Sequence, residues 1–173
     1  ASSKWAAQTA LEHPDVWATV ALHPNAAAHD TDLENSLLAI AELAKLPQVR
    51  GIGETGLDYY RTEESQAAAQ HVSFRAHIDI ASEVGKPVII HDRDAHKDVI
   101  ETLETYGAPE TVVFHCFSGD AQMAKVCAQA GWYMSIPGVV TFKNAQQLRD
   151  AVLEIPDHLL LVETDSPFLT PAP

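Results

Sequence analysis

Short apolar runs alternate with longer stretches of helical period from one end of the chain to the other. Residues Ser3 to Glu12 put Trp5, Ala6, Thr9 and Ala10 on one helical face, and His13-Pro14 ends that helix. Val16 to Leu22 predicts a buried strand that finishes at His23-Pro24. Thr31 followed by Glu34 predicts a capped helix with Leu33, Leu37, Ile40, Ala41 and Ala44 as its apolar stripe. Past Pro47, Val49 and Ile52 suit a buried strand that stops at Glu54. Gly53 and Gly56 flank that glutamate and leave the backbone room for a turn or a close ligand.

A long helical pattern then runs from Thr62 to Val84, with Gly85 as its C-terminal cap. Val88 to Ile90 is a strand ending at His91, and Asp94 is placed to cap a helix whose core face is Val99, Ile100 and Leu103, stopped by Gly107. Thr111 to Phe114 is a strand ending at His115. Asp120 opens a helix through Met123, Val126, Cys127 and Ala130 that stops at Gly131. Trp132 to Ile136, Asn144 to Leu153 and Leu159 to Val162 complete the alternation as strand, helix and strand.

Strict strand–helix alternation with short apolar strands means a parallel sheet covered by helices, an α/β fold. Six strands are countable. An open doubly wound sheet accepts six, whereas an eight-stranded barrel needs two more and usually runs to roughly 250 residues. No glycine fingerprint for nucleotide phosphates is present, which removes the usual nucleotide-binding open sheets.

At 173 residues, 46% of them apolar, the chain is long enough for a single domain with a real core, spanning 1–173. It opens inside a helical pattern without Met and stops at Thr170-Pro171-Ala172-Pro173, which predicts a piece of a longer protein. No apolar run approaches the ~18–20 residues of a membrane span, and no signal peptide pattern opens the chain. Cys116 and Cys127 fit no metal or redox pair and read as free thiols of a reducing cytoplasm. A net charge of −13 argues against a broad phosphate-binding surface, though not against a small site where metal ions supply the positive charge.

The chemistry gathers at the strand ends. His23, Glu54, His91, His115 and Asp165 each sit at or just past the C-terminal end of a different strand, the edge where parallel α/β folds build sites. Asp and Glu are rarely buried unless paired or bound to metal. Two histidines, a glutamate and an aspartate suit Zn²⁺, Mn²⁺ or Mg²⁺. Alternation along Phe114-His115-Cys116 turns His115 away from its neighbours and sends Cys116 towards the core. Asp58 and Arg93, near these residues, are candidates to orient ligands or substrate, with a plain salt bridge as the alternative. His71 and His77 read as surface or interhelix positions, His96 and His158 as exposed, and His13 and His29 as turn residues. Core packing is the default for Trp5, Trp17 and Trp132.

The runs GIGETGLDYY, IIHDRDA around His91, FHCFSG around His115 and ETDSPFL around Asp165, with LHP at Leu22 to Pro24, resemble the TatD family of metal-dependent deoxyribonucleases. These motifs occur in order over nearly the whole chain, though family members often carry His at the position of Asn25. The resemblance implies a TIM-type (β/α)8 barrel of the amidohydrolase superfamily, here an incomplete barrel of about six strands. It implies Glu54, His91, His115 and Asp165 as ligands of two divalent ions, Mg, Mn or Zn, with Glu54 bridging and Asp165 helping to activate water. His23 is implied as a substrate contact, joined by the weaker candidates Asp58 and Arg93. The family's His-x-His pair on a first strand has no counterpart in this chain.

The implied reaction is hydrolysis of a phosphodiester in DNA, with RNA as the alternative substrate, in the cytoplasm, with no membrane and no obligate protein partner. Two readings compete. The same ligand set supports amidohydrolase chemistry on another ester or amide, because a barrel does not fix its substrate. The missing His-x-His pair supports a catalytically incomplete chain acting only as a scaffold.

Overall fold

The computed structural model describes residues 2–173, apart from the side chains of residues 64 and 65. Six strands and seven α-helices occur among them, and the pairings described within each unit are parallel. Six parallel strands with flanking helices make the chain α/β and an incomplete set for an eight-stranded barrel. The chain divides into two compact units, one ending at Val112 and one beginning at Val113.

In the first unit, helix α1 (Ser2–Glu12) precedes strand β1 (Ala18–Val20), which pairs with β2 (Val49–Asp58), which pairs with β3 (Val88–Arg93). The short helix α2 (Pro24–Ala27), then α3 (Leu33–Ala44), α4 (Glu64–Val84) and α5 (His96–Thr105) fill the connections. Val20, Ile52, Leu57, Ile90, Phe74 and Ile78 form its buried core. Gly85 caps α4 in the left-handed conformation at φ 63°, as its position after the apolar stripe predicts.

The second unit holds strand β4 (Val112–Phe114) from its second residue on, β5 (Tyr133–Ile136) and β6 (Leu160–Val162), with helices α6 (Ala121–Gln129) and α7 (Gln146–Val152). Its core is aromatic: the Phe114 ring lies 6.3 Å from Phe117 and 5.9 Å from Trp132. Asp120 caps α6 by accepting the Met123 amide at 2.8 Å, as expected.

Several boundaries differ from the pattern. Strand β1 covers three residues rather than Val16 to Leu22, because pairing with β2 begins only at Ala18. Trp17 is therefore 56% exposed and stacks under the Arg50 guanidinium, and Trp5 is 71% exposed, since α1 buries Ala7 and Ala10 instead. Neither tryptophan is a core residue; Trp132 is. Asp32 and Ala95 occupy the helix-start positions expected of Thr31 and Asp94. Strands β2 and β3 run on past Glu54 and His91, because the ladder continues through to the pair Asp58 and Arg93. His77, read as a surface or interhelix position, is fully buried, and His96, expected to be exposed, is half-buried against Asp92 at 2.7 Å.

Close contact of β2 with β3 depends on two glycines. A Cβ on Gly53 would stand 2.3 Å from the Ile89 Cβ, and one on Gly56 would stand 2.1 Å from the His91 carbonyl oxygen. Gly56 also has φ 135°, which L side chains rarely adopt. Gly56→Ala is expected to cost about 2 kcal/mol or more, against roughly 1 kcal/mol for Gly85→Ala, where nothing lies within 4 Å. Urea unfolding of the two variants checks the ordering, and equal losses would refute the packing argument.

Burial lowers the pKa of His77 to about 4, against the pull of the Ser73 carbonyl. An unfolded imidazole titrates near ~6.5, so below that pH the unfolded chain takes up a proton that the folded chain refuses. The stability from this group is complete above ~6.5 and shrinks by roughly 3 kcal/mol as pH falls to the folded value. Urea midpoints of the unmodified chain and His77→Gln, compared at about pH 7 and about pH 4.5, are expected to differ in their pH dependence by this component. Parallel pH dependences would show that His77 is not held neutral by the fold.

Candidate metal centre

Glu54 reaches its position through a local irregularity. Gly53 pairs with Ile89 and Thr55 with Ile90, so Glu54 is the extra residue of a bulge in β2. A bulge re-aims the side chain of its extra residue. Between Gly51 and Asp58 every residue but Glu54 is buried. Its two carboxylate oxygens face different imidazoles: Oε2 lies 3.2 Å from His91 Nδ1 and Oε1 lies 3.9 Å from His23 Nε2. The two rings meet edge to face with centroids 4.5 Å apart.

Behind His91 stands Asp58, a carboxylate only 1% exposed. Its Oδ2 lies 3.1 Å from His91 Nε2 and accepts from the Asn25 amide at 3.1 Å. Its Oδ1 accepts the backbone amides of Tyr60 and Arg61 at 3.0 and 2.9 Å. Burial alone would raise the Asp58 pKa, but these donors, Arg61 first, hold the carboxyl below its usual range. The buried Gln70 side chain fixes the Asp58 backbone from both sides, accepting its amide at 2.9 Å and donating to its carbonyl at 3.2 Å. Thr62 joins the set by donating to Asn25 Oδ1 at 3.1 Å.

The hydrogen bonds give the two imidazoles different roles. An ionised Asp58 accepts a hydrogen bond from His91 Nε2–H, which in the neutral ring leaves the Nδ1 lone pair facing Glu54. This carboxylate–histidine arrangement is the usual support for a metal-binding imidazole. His23 is set the other way. Its Nδ1 accepts the Asn25 backbone amide at 3.1 Å, so a neutral ring carries its proton on Nε2, the atom facing Glu54. Burial first, and then His91, lower the His23 pKa and favour that neutral ring.

His23, Glu54 and His91 offer ligand atoms within 4.8 Å of one another, the spacing of donors around one ion. Glu54 and His91 fit a divalent cation, with two diverging carboxylate oxygens and an oriented imidazole lone pair, while His23 Nε2 stands close by and would ligate only in its other tautomer.

The second unit has its own cluster. His115 follows β4, and its Nδ1 lies 2.9 Å from Glu163 Oε2 while its Nε2 lies 3.7 Å from Asp165 Oδ1. Burial would raise the Glu163 pKa, but the His115 and Ser135 side chains bring it below its usual value. Glu163 thus orients His115 as Asp58 orients His91, leaving Nε2 turned to Asp165. Cys116 has φ 48°, so the strand has ended there, the alternation rule no longer applies, and the thiol is half-buried rather than core.

Of the residues singled out by sequence, the structure gathers His23, Glu54, Asp58 and His91 in the first unit, and His115 and Asp165 in the second. Arg93 is exposed, with its guanidinium 4.0 Å above the Tyr60 ring. Sequence reasoning passed over Glu163 and Gln70, read His77 as a surface or interhelix position, and noted Asn25 only as a departure from the family pattern. Glu163 carried one signal, its place two residues before Asp165 in a motif already singled out.

The TatD-related DNase model matches residues 1–173. The chain belongs to the TatD-related DNase family. It is 46% identical over 99% of its length to an uncharacterized metal-dependent hydrolase, TatD, of Mycobacterium tuberculosis, and 44% identical over 94% to another, YabD, of Bacillus subtilis. These matches cover 66% and 63% of the two relatives, so the chain spans just under two thirds of their length. The crystal structure of YjjV, a TatD homologue from Escherichia coli, superposes with a TM-score of 0.89 at 27% identity, covering 98% of this chain and 65% of that one. No helix of this TatD-family chain is long and apolar enough to cross a membrane, among the described residues.

Asp58→Asn keeps the shape but weakens the acceptor on His91 Nε2, and is expected to lower affinity for Mn²⁺ about tenfold or more. Calorimetric titration with Mn²⁺ measures it. Unchanged affinity in a folded variant would mean that Asp58 does not set the His91 ligand.

Proposed function

We propose that this chain carries the ligand-bearing part of a divalent-metal-dependent hydrolase that cleaves phosphodiester bonds of DNA. One observation carries the reading: Glu54 turns its two oxygens to different imidazoles, while Asp58 fixes the ring of one of them. Glu54, His91, His115 and Asp165 are the ligands of this reading, for two ions of the Mg, Mn or Zn kind. Divalent ions, when bound, supply Lewis acidity towards phosphoryl oxygens and acidify water at neutral pH.

The chain's own residues do the rest. Asp58 and Glu163 hold the two imidazoles in one tautomer and one orientation, so no reorganisation is needed when substrate arrives. His23 presents Nε2–H as a donor to a non-bridging phosphate oxygen. Asp165, 3.7 Å from His115, is the carboxylate that takes the proton from the attacking water. The net charge of −13 restricts contact to a few phosphates, in keeping with action near a strand end rather than along a duplex.

Cleavage of a 3′-labelled single-stranded oligonucleotide tests this, with Mg²⁺ or Mn²⁺, with EDTA, and beside Glu54→Ala. Metal-dependent cleavage is expected, abolished by EDTA and reduced more than about 100-fold in the variant. Cleavage that survives either treatment, or a folded, metal-loaded protein that hydrolyses no phosphodiester, refutes the reading.

A further inference from the structure

Beyond Val20 the backbone leaves the β1 ladder, and side chains from three places take over its hydrogen bonds. Ser3 of α1 accepts the Ala21 amide at 3.2 Å and donates to the Ala21 carbonyl at 2.9 Å. His77 of α4 accepts the Leu22 amide on Nε2 at 3.0 Å. His23 itself accepts the Asn25 amide, and Asp58 holds the Asn25 side chain. The segment that carries His23 is thus tied residue by residue, although it belongs to no strand.

The His77 contact is the unusual one. The ring is fully buried, on a helix that also buries Phe74, Ile78 and Ala81, and an apolar side chain there would carry no polar cost. Its Nδ1–H donates to the Ser73 carbonyl at 2.7 Å, one turn back along α4. That bond fixes the tautomer and leaves the Nε2 lone pair directed at a single backbone amide, the one preceding His23. Burial keeps the ring neutral, the state in which it can accept.

We infer that His77 is a positioning residue for His23: it holds the Leu22 amide and thereby sets where the Nε2–H of His23 is presented beside Glu54. This rests on reading His23 as a donor to substrate. A histidine serving only core stability would support α4 wherever its ring pointed. This ring reaches out of α4 to one amide of the segment that bears a site residue.

The first test needs no substitution. In protein labelled with ¹⁵N, with Mg²⁺ present, a trans-hydrogen-bond ¹⁵N–¹⁵N coupling is expected between the Leu22 amide and His77 Nε2, and its absence overturns the inference. The second compares His77→Gln, whose carbonyl can still accept near the Nε2 position, with His77→Leu, which cannot. The readouts are the His23 ring nitrogen resonances and the steady-state constants for oligonucleotide cleavage. His77→Gln is expected to keep His23 in the Nε2–H form. His77→Leu is expected to shift its resonances towards the mixture of tautomers and to raise KM about tenfold, the loss of one modest hydrogen bond, with kcat little changed. A folded His77→Leu with an unchanged His23 spectrum overturns the inference, and if that variant does not fold, the coupling and the His77→Gln spectrum still decide. His23→Ala separates the two readings. If it leaves cleavage intact while His77→Leu still shifts the His23 resonances, the substrate role of His23 fails and the positioning by His77 stands.

Discussion

The candidate site depends on one feature of pairing: β2 carries one residue more than β3 where the two strands are closest. Regular parallel pairing would turn Glu54 with its neighbours into an apolar interior. A buried carboxylate without partners costs far more than any packing gain recovers. The bulge resolves the conflict by taking Glu54 out of register and aiming it at His23 and His91. Gly53 and Gly56 make this possible, because any side chain there would enter the β3 backbone. The same glycines that permit the bulge therefore bring His91 within reach of Glu54.

Around this contact the polar groups are satisfied in sequence outward. Glu54 meets His91, His91 meets Asp58, and Asp58 meets Asn25, two backbone amides and, through its own backbone, Gln70. Asp58 is a buried anion, and four donors offset its desolvation. The second unit repeats the device on a smaller scale with His115 and Glu163. Both imidazoles thus have one nitrogen assigned to a carboxylate and the other turned to an acidic neighbour, a division of labour suited to holding a cation.

Much of this was legible in the sequence wherever the cause is local. Gly85 after an apolar stripe and Asp120 before one act within a single turn, and both cap as expected. The α/β class followed from alternation alone. What was not legible depends on partners distant in sequence. The strands outlast Glu54 and His91 because each supplies the other's ladder, which no run of residues announces. Trp17 lies in an apolar run yet is exposed, because pairing with β2 starts one residue later. His77 falls on a long helix of weak periodicity, where a buried polar ring cannot be told from a surface one until its distant partner, Leu22, is known.

The distinction between His23 and His91 shows what the structure adds to a motif. By composition and spacing the two are equivalent: imidazoles on the same carboxylate, with rings in contact. A metal needs a lone pair, whereas an anionic oxygen needs a proton, and a neutral imidazole offers one of each. Which face is turned to Glu54 is decided on the far side of each ring. For His91 the far side is a carboxylate, which accepts, so a lone pair faces inward. For His23 it is a backbone amide, which donates, so a proton faces inward. The second arrangement arises because His23 also starts helix α2, whose first free amide its ring satisfies. A helix cap thus determines which of two neighbouring histidines can hold a cation and which can receive an anion.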